Sequence, residues 1–138
     1  GLPACSTHTG GYCRARARLP MQMVRTLARH SGQWITAHAP QSWYWRDRAV
    51  RLVDGTSVTM PDTPANRAQY PQSRTKAPGV AFPLCRLVGL ICLDSGAVLD
   101  AAMGSSRGKN SDENALLRSM LDTLKRGDVL LGDALYAT

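Results

Sequence analysis

Two aspartates at the ends of short apolar runs are the residues of this chain best suited to hold a cation. Asp54 follows Val50-Arg51-Leu52-Val53 and precedes Gly55, and Asp133 follows Val129-Leu130-Leu131-Gly132. A strand with Val50, Leu52 and Asp54 on one face delivers the carboxylate to the rim of a sheet, where it meets solvent or metal. Gly55 is then expected to turn the backbone away. Asp beside Gly is also among the commonest turn signals, so either residue taken alone reads first as a turn residue. It is the repeated context in two separate strands that suggests one shared site for a hard, oxygen-seeking ion such as Mg2+ or Mn2+.

For the pair to meet, the intervening elements must bring two strand ends together. The first strand is expected from Ala49 to Val53, ending at Asp54. Thr63 then caps a short helix opened by Pro64 and reaching Tyr70, which assigns Asp62 to capping rather than catalysis. Leu84 to Leu93 is nearly continuous apolar sequence, as in a strand buried on both faces, and Asp94-Ser95-Gly96 turns it into a strand from Ala97 to Met103. Ser111 caps a helix with Asp112 and Glu113 in its first turn, where acids complement the helix dipole. Leu117, Met120, Leu121 and Leu124 continue it at helical spacing until Lys125, Arg126 and Gly127 close it. Three strands joined as an antiparallel meander, followed by a helical crossover, return the fourth strand beside the first and parallel to it. Asp54 and Asp133, 79 residues apart (133 − 54), then lie at the same edge.

Upstream, one helix is expected from Thr9 to Leu19 and a second from Pro20 to Ala37, with Val24, Leu27, Ala28 and Ile35 on one stripe and Gly32 weakening the middle. Arg14 and Arg18, then Arg25 and Arg29, are four residues apart, so each pair shares a helix face and either grips phosphate or is simply solvated. Residues 39–47 form a connector whose Trp43, Tyr44 and Trp45 either stack on bases or, the preferred reading, fill a seam between two layers. The chain thus divides into a helical arm, residues 1–38, and a strand-built remainder, residues 39–138. Two basic loops decorate the remainder: Pro71 to Gly79 with Arg74 and Lys76, and Gly104 to Asn110 with Arg107 and Lys109. The expected DNA-contacting set is Arg14, Arg18, Arg25, Arg29, Arg74, Lys76, Arg107 and Lys109.

Composition agrees with such a partner. The 138 residues carry 17 Lys+Arg against 10 Asp+Glu, a net charge of +7, which favours polyanions: nucleic acid first, an anionic membrane second, with plain solubility as the bland alternative. A chain of this length buries one ordinary core. Cys5, Cys13, Cys85 and Cys92 form no CxxC pair and no secretory segment precedes them, so they read as free thiols of a reducing cytosol, with Cys85 and Cys92 packed in the core. Cys5, His8 and Cys13 lack a fourth ligand at finger spacing. No apolar run is long enough to span a bilayer. The chain begins at Gly1 rather than Met and is expected to be a piece of something longer.

The stretch Arg51-Leu52-Val53-Asp54-Gly55-Thr56-Ser57-Val58-Thr59-Met60-Pro61-Asp62-Thr63-Pro64 resembles bacterial insertion-sequence transposases of the Asp-Asp-Glu type. Gly132-Asp133 followed by Tyr136-Ala137-Thr138 resembles that family's second acidic motif. The resemblance covers nearly the whole chain. It implies an α/β, ribonuclease H-like fold: a mixed sheet of three antiparallel strands, a helix and a parallel fourth strand, preceded by the helical arm. It further implies metal-dependent DNA cleavage and strand transfer, with Asp54 and Asp133 as the first two catalytic and metal-binding acids. Mg2+ or Mn2+ would be the cofactor and double-stranded DNA, at transposon ends and target, the partner. A homo-oligomer and a cytoplasmic, nucleoid-associated location go with that family. Where the family commonly has Arg-Tyr after the second Asp, this chain has Ala134-Leu135. The third acid, a Glu, is expected beyond Thr138, so the chain is expected to be truncated before it; Glu113, already explained by the helix dipole, is not read as its substitute. The competing readings are a catalytically inactive DNA-binding remnant or regulator of transposition, and a ribonuclease H-like nuclease unrelated to transposition.

Overall fold

A computed structural model describes residues 9–72, 81–108 and 111–136. Arg74, Lys76 and Lys109 lie outside the described residues, as do Cys5 and His8. The elements in order are α1 (Gly10–Ala17), α2 (Met21–Ala37), β1 (Val50–Thr59), α3 (Pro64–Gln69), β2 (Leu84–Cys92), β3 (Val98–Ser105), α4 (Glu113–Arg118) and β4 (Val129–Leu131). Pro20 is extended (φ −63°, ψ 134°) and separates α1 from α2, because its ring cannot continue the first helix but suits the start of the second. Thr63 caps α3 as its sequence suggests, its side chain accepting from Asn66 N–H. Asp62 instead pairs with Arg67.

The sheet order is β3-β2-β1-β4, with β1–β2 and β2–β3 antiparallel and β4 parallel to β1. This mixed α/β sheet with flanking helices has a ribonuclease H-like topology. One expectation is corrected: β1 does not end at Asp54. Its ladder with β2 continues from Asp54 opposite Gly89 to Thr59 opposite Leu84, so Gly55 is a strand residue rather than a turn. The strand that stops early is β4, at Leu131.

One face of the sheet carries the core. Val53, Val88, Leu90, Cys92, Leu99 and Ala102 meet Leu116, Leu117 and Met120 from the α4 region, and burying each large aliphatic side chain contributes about 1.5–3 kcal/mol. Cys85 and Cys92 are fully buried free thiols. The helix α4 is shorter than its apolar spacing predicts and is capped by Asp112, not Ser111; Asp112 Oδ1 accepts from Ala115 N–H at 2.7 Å. Ser119 Oγ–H donates to the Leu116 carbonyl at 2.7 Å, a local bond that competes with the helix ladder where α4 stops. A 3₁₀ turn, Leu121–Thr123, follows.

On the opposite face, Trp43 and Trp45 do not fill a sealed seam. Both stay half exposed and line an open cavity of about 620 Å³ with Val50, Leu93, Asp94, Val129 and Leu131. They are placed there by a tight turn in which Arg46 and Asp47 have φ of 49° and 62° and Trp45 bridges Arg48.

The helix α2 is docked on β3, by a face the apolar stripe does not predict. Val24, Leu27 and Ile35 are exposed, while Gly32 is buried. A Cβ at residue 32 would lie 2.3 Å from the Val98 carbonyl oxygen, so Gly32 is the point of contact between helix and strand rather than a weak spot. The rest of the contact is ionic. Asp100 is fully buried and accepts from Arg25 Nε at 3.0 Å, from Arg25 Nη2 at 2.9 Å and from Arg29 Nη2. Arg29 Nη1 also reaches Asp122 Oδ2 at 3.0 Å. Burial pushes the Asp100 carboxyl upward, but the hydrogen bonds from Arg25 and Arg29 outweigh it and hold the group well below the usual carboxylate range.

A carboxyl with a depressed folded-state pKa stabilises the fold above its unfolded value and loses that contribution as pH falls through the folded one. In urea denaturation at pH 7, Asp100→Asn is expected to lower stability by about 3 kcal/mol, because two arginines lose their buried counter-ion. The parent should lose this advantage progressively below about pH 4, and the variant should show no such loss.

Candidate metal centre

The parallel ladder pairs Val50 with Val129, Arg51 with Leu130 and Leu52 with Leu131. Carried two places further, the same offset would set Val53 beside Gly132 and Asp54 beside Asp133. The first of these neighbours is confirmed by packing, since a Cβ on Gly132 would lie 2.9 Å from Val53 Cγ1 and 3.0 Å from the Tyr136 ring. Adjacent strands are about 4.8 Å apart. Gly132 thus lies beside Val53, just where β1 loses its parallel partner. Because a Cβ on Gly55 would point at α4, strand alternation sends Asp54 to the opposite face.

Each acid is oriented by a local donor: Asp54 Oδ1 accepts from Gly55 N–H at 2.8 Å, and Asp133 Oδ1 from Leu135 N–H at 2.9 Å. Both residues are exposed. Among the described residues neither has an ion-pair partner, whereas Asp62, Asp100, Asp122 and Asp128 are all paired with arginines. Such exposed carboxylates are hard oxygen donors of the kind that suit Mg2+ or Mn2+. No group of three or more His, Cys, Asp or Glu side chains able to hold a metal occurs among the described residues. Such an ion would complete its shell with water and phosphate oxygens, as Mg2+ commonly does.

Behind the pair stands a contact that sequence reasoning missed. The Tyr136 O–H, in the 3₁₀ turn Ala134–Tyr136, donates to Glu113 Oε2 at 2.9 Å, and Asn114 Nδ2 donates to the Leu135 carbonyl at 2.9 Å. Burial first, then the hydrogen bond to Glu113 and the charges of Glu113, Asp133 and Asp54, push the Tyr136 phenol well above its ordinary value. A Cβ at Gly55 would lie 2.4 Å from the Glu113 carboxylate. The available signal was Gly55 itself, since glycine inside a strand marks close approach by another group.

The basic residues divide. Arg14 and Arg18 lie on and at the end of α1, which has no buried residue, and both are exposed. Arg107 is partly exposed in the loop after β3. Among the described residues these three have no ion-pair partner. Arg25 and Arg29, expected to present their forks to phosphate, are both engaged with Asp100, because an unpaired buried carboxylate is costly.

Residues 45–138 match the family model described as the transposase DDE domain. No curated protein and no solved structure matches the chain.

Proposed function

As the chain belongs to the transposase DDE domain family, we propose that Asp54 and Asp133 are the first two acids of a centre for metal-dependent DNA cleavage and strand transfer. The observation that supports this reading is the parallel register of β1 and β4, which, continued two residues past its last pair, would bring to one level two exposed acids that have no ion-pair partner among the described residues. Their role is to bind and orient, with Gly55 and Leu135 N–H groups fixing one oxygen of each so that the other is free to face a ligand. When bound there, Mg2+ or Mn2+ supplies charge neutralisation at a phosphodiester and lowers the pKa of an attacking water or 3′-hydroxyl. Double-stranded DNA is the partner this implies, and no helix among the described residues is long and apolar enough to cross a membrane. In this reading Arg14, Arg18 and Arg107, with Arg74, Lys76 and Lys109, contact the DNA backbone, positioning it without reading its sequence.

Calorimetric titration of the purified chain with Mn2+ tests the pair. Asp54→Asn and Asp133→Asn should each weaken binding strongly, and the double variant should be little worse than either, since one site is lost in each case. Parent-like affinity in both single variants would remove the metal role. The DNA contact is tested separately by the salt dependence of duplex binding. The logarithm of affinity should fall linearly with the logarithm of salt, and each phosphate contact removed by Arg14→Gln, Arg18→Gln or Arg107→Gln should lower the slope by about 0.9. A flat dependence in the parent would contradict the electrostatic reading.

A further inference from the structure

Asp133 lies two residues beyond the last ladder pair, Leu52 with Leu131, so strand pairing alone does not hold it. Within the turn that follows, Tyr136 N–H donates to the Asp133 carbonyl at 3.2 Å and Leu135 N–H to its side chain. These bonds shape the turn but do not fix it to the sheet. We propose that Glu113 and Tyr136 form a latch, seated on Gly55, that positions Asp133 beside Asp54. The proposal deepens the reading of the two aspartates as a metal pair and rests on it.

The contacts run without a break from one acid to the other. Gly55 adjoins Asp54 in β1, and the Glu113 carboxylate lies against it in space that any Cβ would fill. Glu113 accepts from Tyr136, three residues after Asp133, and its neighbour Asn114 holds the Leu135 carbonyl. The first turn of α4 is itself anchored: Asp112 caps it, Arg86 Nη1 donates to the Ser111 carbonyl at 3.0 Å, and Leu116 and Leu117 are buried in the core. The latch thus refers the position of Asp133 to the same rigid layer that supports β1. Three elements, α4, β1 and the turn after β4, meet in one contact.

The chemistry of the contact makes a specific demand. Tyr136 is the donor, so residue 113 must accept but need not be charged, and glutamine can accept through its own Oε1. Residue 55 must leave the seat empty. In Gly55→Ala the displaced atoms are the far end of a flexible side chain, so the latch should open at little cost to the fold.

The test compares Tyr136→Phe, Glu113→Ala, Glu113→Gln and Gly55→Ala in the 138-residue chain by two readouts, hydrogen exchange at the Leu135 amide and Mn2+ affinity. The Phe variant and both Ala variants should exchange faster at Leu135 while the Leu90 amide in the core is unchanged. They should also bind Mn2+ about tenfold more weakly, the effect typical of losing a group that orients a ligand. Glu113→Gln should match the parent in both. Parent-like exchange and affinity in Tyr136→Phe and Glu113→Ala would overturn the latch, as would a loss in Glu113→Gln equal to that in Glu113→Ala, which would make charge the operative property. Asp54→Asn in the same titration separates the two claims. If it loses Mn2+ while the latch variants do not, the metal pair survives and the latch falls. If it binds as the parent does, the metal pair falls, and exchange at Leu135 still decides whether the latch holds the turn.

Discussion

The parallel pairing of Val129, Leu130 and Leu131 with Val50, Arg51 and Leu52 sets β4 against β1, and its register fixes which residues of the two segments face each other. A slip of one residue would send every side chain of β4 to the other face. Two features oppose that slip. Arg51 and Asp128, one on each strand segment, form a nearly buried ion pair with Nε to Oδ2 at 3.0 Å, which a shifted strand would separate. Beyond the ladder, Gly132 fits between Val53 and the Tyr136 ring with no room for a Cβ. Electrostatics at one end and packing at the other thus specify an alignment that three ladder pairs alone would specify weakly.

A second ionic contact settles how the helical part meets the sheet. The β2–β3 ladder shifts register between Leu90 and Ile91, and at this irregularity both Leu99 and Asp100 are buried, where simple alternation would expose one. A buried carboxylate requires partners, and Arg25 and Arg29 supply them from α2. The chain's net charge of +7 is therefore a poor guide to which arginines face outward. Arg25, Arg29, Arg51 and Arg67 are engaged within the fold, and α2 docks by guanidinium groups and a glycine while Val24 and Leu27 remain exposed.

Much of the architecture was legible because it follows from local chemistry. Pro20, Thr63 with Pro64, and the apolar run Leu84–Leu93 each announce their element, and the order of strands and helix dictates a parallel fourth strand. What was not legible depends on contacts distant in sequence. β1 continues through Asp54 because β2 pairs with it as far as Thr59, which no property of residues 50–59 reveals. Glu113 and Gly55 each have a sufficient local explanation, as a helix-dipole acid and a turn glycine, and only their meeting in space shows that both serve one contact. The apolar stripe of α2 misled for the same reason: a helix docks by whatever face the partner strand can satisfy, and here that strand presents Asp100. The parallel pairing of β4 with β1 was anticipated from the crossover, though β4 stops at Leu131 while β1 runs on to Thr59 instead of ending beside it.

The central claim is that the register of β1 and β4 brings Asp54 and Asp133 to one ion. Paramagnetic broadening of backbone amide signals on adding trace Mn2+ addresses it most directly, because broadening falls off steeply with distance from the ion. The account predicts that the amides of Gly55 in β1 and Leu135 in the turn after β4, each hydrogen-bonded to one of the two acids, broaden first and together, and that Asp54→Asn or Asp133→Asn abolishes both effects at once. Broadening confined to one of the two amides, or effects that the variants abolish independently, would contradict it.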